Sequence, residues 1–235
     1  MNSKDRKPVI VALDFPSLNE TLPFLEKLDP ELCRVKVGKQ LFVEVGPLAV
    51  KRIQDFGFDI FLDLKFHDIP NTVKEACLAV ADLGCWMVNV HAGGGRVMLE
   101  AASNAYANLI DPPLLIGVTV LTSFSGSDLE EVGCVYAVEN QVERLAVLSQ
   151  SSGLDGVVCS PLELSLLSPL KNDKFLFVTP GVRCQGDEKH DQSRIATPQE
   201  ALKNGADYIV IGRSITESSD PLERLFAIND FSSYQ

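Results

Sequence analysis

Residues 57–84 read Gly-Phe-Asp-Ile-Phe-Leu-Asp-Leu-Lys-Phe-His-Asp-Ile-Pro-Asn-Thr-Val-Lys-Glu-Ala-Cys-Leu-Ala-Val-Ala-Asp-Leu-Gly. The run 60–64 is apolar apart from Asp63, of strand length and rich in residues that pack on a pleated surface. Near Pro70 the pattern changes: Val73, Cys77, Val80 and Leu83 recur at spacings of three and four, and Gly84 follows as a helix stop. Strand, short polar connection and amphipathic helix make one unit, and the unit repeats in both directions. Upstream, 9–13 and 33–37 are strand candidates; downstream, 87–90, 114–120, 156–159, 175–178 and 208–211 are others. Phe42, Val45, Ala49, Ile53 and Phe56 predict a helix between the second and third strands, ended by Gly57. Thr197 to Glu200 reads as a capping box with Pro198 at the first helical position, and Gly205 closes that helix before the last strand.

Eight strand candidates separated mostly by helical stretches in 235 residues fit one parallel α/β barrel, a (β/α)8 barrel spanning 1–235, since such barrels typically need about 250 residues. No Pro/Gly/Ser-rich linker breaks the series; a doubly wound open sheet is the alternative that the same alternation allows. Hydrophobic residues at 46% and charged residues at 23% are ordinary globular usage and argue against long disorder. No apolar run approaches the roughly 20 residues that span a bilayer, and the first residues lack the apolar segment of a signal peptide, so a cytoplasmic protein with no membrane partner is expected. Thirty-two acidic against 21 basic side chains give a net charge of -11, which opposes nucleic-acid binding and means that an anionic ligand needs a local cluster of positive groups. The six cysteines are scattered, form no Cys-x-x-Cys pair, and are expected to be buried reduced thiols rather than a metal site or a disulfide framework.

In a parallel barrel, chemistry belongs at the carboxyl ends of the strands. There the chain places Asp14 after the first strand, Lys36 between Val35 and Val37 in the second, and Asp63 and Lys65 at the end of the third. Alternation along a strand puts Asp63 and Lys65 on one face and Leu62 and Leu64 on the other, so the charged pair is expected to face the barrel axis. Ionised groups in apolar strands are costly unless opposite charges interleave; a pair at about 4 Å gains roughly 4 kcal/mol at an effective dielectric near 20, comparable to partial desolvation. A buried salt-bridge network with no chemical role is the bland alternative, but such networks rarely concentrate at three adjacent strand ends.

The seventh and eighth strands run into Thr179-Pro180-Gly181-Val182-Arg183 and Gly212-Arg213-Ser214. Loops at these strand ends often bind phosphate; glycines at 181 and 212 admit close backbone approach, and Arg183 and Arg213 can donate paired hydrogen bonds. The polar stretch between Arg183 and Thr197 is long for a barrel connection and reads as a moving lid. His91 reads as a pocket wall or supporting residue, His67 as a brace for its loop and His190 as solvent-exposed. Trp86 reads as core, and residues 128–131 as a solvated charge run. The glycines 93–95 lack the spacing of a dinucleotide loop.

The string Asp63-Leu64-Lys65-Phe66-His67-Asp68-Ile69-Pro70-Asn71-Thr72 closely resembles the signature of the orotidine 5'-monophosphate decarboxylase family, and the resemblance extends from Val9 to about Arg213. It implies a cofactor-free, metal-free homodimer that acts on a nucleotide at the last step of UMP synthesis. Under it, Lys65 looks like the lysine that delivers a proton to carbon 6 of the pyrimidine as carbon dioxide leaves, and Asp63 like the carboxylate beside the substrate's own. Asp68 and Thr72 resemble residues that reach into the other subunit's site, with Ile69 between them among the substrate contacts. Lys36 and Asp14 resemble ribose-contacting residues, and Lys36 also belongs to the catalytic array. Pro180, Arg183, Gly212 and Arg213 fall at the phosphate and base contacts, Gln192 corresponds to a glutamine bridging phosphate and base, and Thr122 resembles a base contact that Ser123 could share. Two rivals stay open. A magnesium-dependent sugar-phosphate decarboxylase or aldolase on the same barrel would carry an acidic metal ligand where this chain has Lys36. A non-catalytic phosphate-binding barrel would need the two arginines and have no use for Lys65.

Overall fold

Parallel strands pair edge to edge in chain order and close on themselves, in a computed structural model that describes residues 7–184 and 196–232. They are β1 (Val9–Ala12), β2 (Arg34–Gly38), β3 (Ile60–Phe66), β4 (Met87–His91), β5 (Leu114–Val118), β6 (Gly156–Val158), β7 (Leu176–Thr179) and β8 (Tyr208–Ile211). Closure is direct, because Val9, Ile10 and Val11 of β1 lie in parallel register with Ile209, Val210 and Ile211 of β8. An open sheet leaves those two strands unpaired, so the doubly wound alternative falls.

Around the barrel run α1 (Leu18–Leu25), α2 (Lys39–Val45), α3 (Pro47–Gln54), α4 (Pro70–Asp82), α5 (Arg96–Ala105), α6 (Gly126–Glu131), α7 (Val138–Ser151), α8 (Leu164–Leu167), α9 (Pro198–Lys203), α10 (Arg213–Thr216) and α11 (Pro221–Ser232). The helix expected over Phe42 to Phe56 is two helices. Gly46 adopts a φ of 70°, which a residue with a side chain resists, and Pro47 behind it starts α3 at the position where its missing N–H costs nothing. The capping box at α9 is present: Thr197 Oγ1 accepts from Glu200 N at 3.2 Å, and Glu200 Oε2 accepts from Thr197 N at 2.8 Å. The charge run 128–131 is less bland than expected, since Asp128 caps α6 by accepting from Ser125 N at 2.7 Å.

Strands buried on both faces divide the core in two. Outward residues such as Val11, Val35, Leu62 and Val88 pack under the helices, whereas Ile10, Phe61, Met87, Ile116, Val178 and Val210 fill the barrel itself. Arg34 closes the bottom: its guanidinium carbon lies 4.2 Å from the ring centroid of Trp86 and 5.5 Å from that of Tyr208, and its Nε is 3.2 Å from Asp59 Oδ2. Trp86 is therefore part of a cation–π floor and not a ligand platform. All six cysteines are free; burial pushes the Cys77 thiol up to about 11 and Cys33 to about 12, so neither is a reactive thiolate near neutral pH. No helix among the described residues is long and apolar enough to cross a membrane.

Candidate active site

Above this floor, the inward positions one layer beyond Phe61 and Met87 on β2, β3 and β4 are polar. Lys36 on β2, Asp63 on β3 and Asn89 on β4 occupy them, and all three face one cavity of about 180 Å³. Lys36 Nζ lies 3.1 Å from Asp14 Oδ1 and 3.4 Å from Asp63 Oδ2. Asp63 Oδ1 in turn accepts from Lys65 Nζ at 2.6 Å and from Asn89 Nδ2 at 2.6 Å. The order along the mouth is acid, base, acid, base, as the strand ends required. Gly38 makes room for its outer end, because a Cβ there would sit 3.1 Å from Lys36 Nζ and 3.3 Å from Asp14 Oδ1.

Lys65 reaches the array by a route that alternation does not supply. Leu62 pairs with Val88 and Phe66 with Val90, so three residues of β3 face one residue of β4 and the ladder is interrupted between them. Within that bulge Lys65 takes a φ of 54°, a left-handed conformation that costs a non-glycine residue roughly 1–3 kcal/mol and that collects at functional sites. Its backbone N–H finds the side-chain oxygen of Asn89 at 2.8 Å. Asn89 is the functional residue that the sequence reading missed. Its signal was present: a lone polar residue between Val88 and Val90 is the same pattern that drew attention to Lys36.

The array is strongly coupled. Burial pushes the Asp63 carboxyl up, but the charges of Lys36 and Lys65 and the hydrogen bonds from Lys65 and Asn89 outweigh it and hold the group below the usual carboxylate range. Burial likewise pulls Lys36 down, and the Asp63 and Asp14 carboxylates more than reverse it, so its ammonium is held above the usual lysine value. Both groups stay ionised across the neutral range. The opposite wall of the cavity is apolar, formed by Val118, Val158, Val178 and Val210, with Thr122 and Pro180 at its edge. Ser123 is exposed and takes no part in this lining.

The remaining candidates are placed as follows. Arg183 is 8% exposed, its Nη1 donates to Val182 O at 2.9 Å, and its Nε has no hydrogen-bond partner among the described residues. Arg213 follows β8 as the first residue of α10, with Gly212 as its N-cap. Cys184 N donates to Ser214 Oγ at 3.5 Å, which joins the segments carrying the two arginines on one side of the mouth. Gln192, His190 and the expected lid fall on residues 185–195, outside the described residues; the ends of that connection meet where Arg183 N donates to Ala196 O at 3.0 Å. Asp68, Ile69 and Thr72 are exposed, and within this chain they stand apart from the cavity, with Asp68 accepting from Ile69 N at 2.6 Å. His67 is exposed and stacks on His91, ring centroids 5.3 Å apart.

Fold and mouth together define a (β/α)8-barrel protein whose polar centre is a lysine–aspartate array set against an apolar wall. The sequence model of the orotidine 5'-phosphate decarboxylase / HUMPS family matches residues 7–228. A protein of Laribacter hongkongensis named orotidine 5'-phosphate decarboxylase is 56% identical over 222 residues, covering 94% of this chain and 91% of that one. A Shigella flexneri protein of the same name is 53% identical over 223 residues, with the same coverage. Among solved structures, orotidine 5'-phosphate decarboxylase from Lactobacillus acidophilus superposes with a TM-score of 0.85 at 41% identity, covering 96% of this chain and 98% of that one. The chain belongs to the orotidine 5'-phosphate decarboxylase / HUMPS family.

Proposed function

We propose that residues 1–235 act as one catalytic barrel that converts orotidine 5'-monophosphate to UMP and carbon dioxide, the last step of de novo UMP synthesis, with no metal or cofactor, as a cytoplasmic homodimer. Family membership and the names of close relatives support the reaction class. The observation that carries the mechanism is the Lys65 ammonium, held 2.6 Å from Asp63 beside an apolar wall.

The pyrimidine lies against the valine wall with its carbon 6 toward Lys65, and Thr122 and Pro180 border the base. The bond from carbon 6 to the carboxylate breaks, its electron pair stays on carbon 6 and carbon dioxide departs. That pair is localised in an sp² orbital, where a cation fixed beforehand lowers the barrier because nothing reorients as charge develops. Lys65 then transfers a proton from Nζ to carbon 6 and recovers one from water. Asp63 keeps Lys65 cationic and aimed, and lies against the substrate carboxylate that is about to leave. Lys36 and Asp14, at the outer end of the array, take the ribose hydroxyls. Arg183 and Arg213 hold the phosphate with backbone groups near Gly212, and Gln192 links phosphate and base. Asp68, Ile69 and Thr72 are exposed here because they serve the site of a second subunit.

Lys36 also distinguishes this reading from the magnesium-dependent one. Its ammonium bridges Asp14 and Asp63, the place where a divalent ion would have to sit between carboxylates, and the two cations exclude each other. The test is turnover of orotidine 5'-monophosphate in excess chelator, followed by the change in pyrimidine absorbance. Undiminished turnover is expected. Turnover that appears only with added magnesium supports the sugar-phosphate type of chemistry, and binding without turnover supports a phosphate-binding module.

A further inference from the structure

Asn89 is 1% exposed and lies at the one place where the β3–β4 ladder is broken. Its two side-chain functions are both spent on the active strand: Oδ1 accepts the Lys65 N–H at 2.8 Å, and Nδ2 donates to Asp63 Oδ1 at 2.6 Å. We infer that Asn89 is the positioning residue of this site, locking the left-handed backbone of Lys65 and the carboxylate of Asp63 into one rigid unit. The inference rests on the proposed decarboxylation, and deepens it.

An amide suits this place as no other side chain of its size does. The Lys65 N–H needs an acceptor, and the Asp63 carboxylate, which accepts only, needs a donor; a primary amide offers one of each on a planar fork. The lysine and the asparagine share the same oxygen of Asp63, so a shift of the amide moves the carboxylate and the ammonium together. Without the amide, the part-buried Lys65 N–H loses its partner and its φ of 54° loses its tie to β4. Misplacement of a reacting group by about 1 Å costs on the order of 100-fold in rate. The phosphate grip is on β7 and β8, across the barrel, and is untouched by that movement.

Asn89→Ala and Asn89→Asp test the inference, each compared with the unsubstituted protein for kcat, KM and UMP affinity. In Asn89→Ala, kcat is expected to fall about 100-fold with UMP affinity within about threefold of the parent. Asn89→Asp is the more discriminating change. Ionised, the new carboxylate still accepts from Lys65 N–H but opposes Asp63; protonated, it has the donor and acceptor of the original amide. The charged groups around it are Asp63 and Lys65 on β3, Lys36 on β2 and Asp14 after β1, with the imidazoles of His67 and His91 further along. Two facing carboxylates share a proton readily, so the ratio of variant to parent kcat is expected to rise as the pH falls. A structural role alone gives a loss with no pH trend in that ratio. Folding is checked by circular dichroism; should Asn89→Ala not fold, the Asn89→Asp ratio decides. A flat ratio, or a loss confined to KM and UMP affinity, overturns the inference while leaving the decarboxylase reading intact. Absence of turnover in the unsubstituted protein overturns both.

Discussion

Lys65→Ala is expected to lower kcat for orotidine 5'-monophosphate by about 10⁴-fold or more while leaving UMP affinity within about threefold of the parent. A positioned proton donor contributes roughly 10²- to 10⁴-fold, and in the proposed mechanism the same ammonium also stabilises the developing charge on carbon 6, so removing it cancels two effects at once. Binding is spared because, in the proposed binding mode, the phosphate and ribose contacts come from other strands. Stability is expected to hold as well. The substitution removes one donor from Asp63, which keeps Lys36 and Asn89, and it relaxes the interactions around a side chain that is 28% exposed. Steady-state kinetics with product-inhibition constants reads both halves of the expectation. A variant with near-normal kcat removes Lys65 as the proton source.

Arg213→Ala is expected to act in the opposite sense, weakening UMP about 10- to 150-fold while uridine affinity changes little. Charge-assisted hydrogen bonds contribute roughly 1.5–3 kcal/mol, and about 1.4 kcal/mol is tenfold. Arg213 opens α10 directly after β8, so its loss would remove the proposed phosphate contacts without touching the array on β2 and β3. Titration calorimetry with the nucleotide and the bare nucleoside separates the cases. Equal losses for both ligands assign Arg213 to the architecture of the loop and leave the phosphate to other groups.

The barrel was legible because its rule is repetitive. Most strands are short apolar runs, most are separated by helices with an apolar stripe, and glycine or proline stands at several joints; eight such units in this length fit the closure of β1 on β8 that the structure shows. The charged array was legible for the converse reason, since Lys36 and Asp63 break runs that are otherwise apolar. What did not show was the backbone at Lys65. Alternation assigned it to the right face for the wrong reason, because the periodicity of two fails inside the bulge and a left-handed residue supported by Asn89 restores the direction. Pairing of β3 with β4 is a non-local property, and neither strand alone states it. The split at Gly46 was missed in the same way: the apolar stripe from Phe42 to Ile53 continues across two helices, and only the Gly-Pro step reports the break. The proposed contribution of Asp68 and Thr72 to a second subunit leaves no periodic signature in the sequence, since both sit exposed around the start of α4.

The most direct test of the central claim is a crystal structure with UMP bound. Carbon 6 of the ring is predicted within about 3.5 Å of Lys65 Nζ, against the valine wall, with the phosphate between Arg183 and Arg213. A ring seated with carbon 6 turned away from Lys65, or a phosphate bound on the β2–β3 side of the mouth, contradicts it.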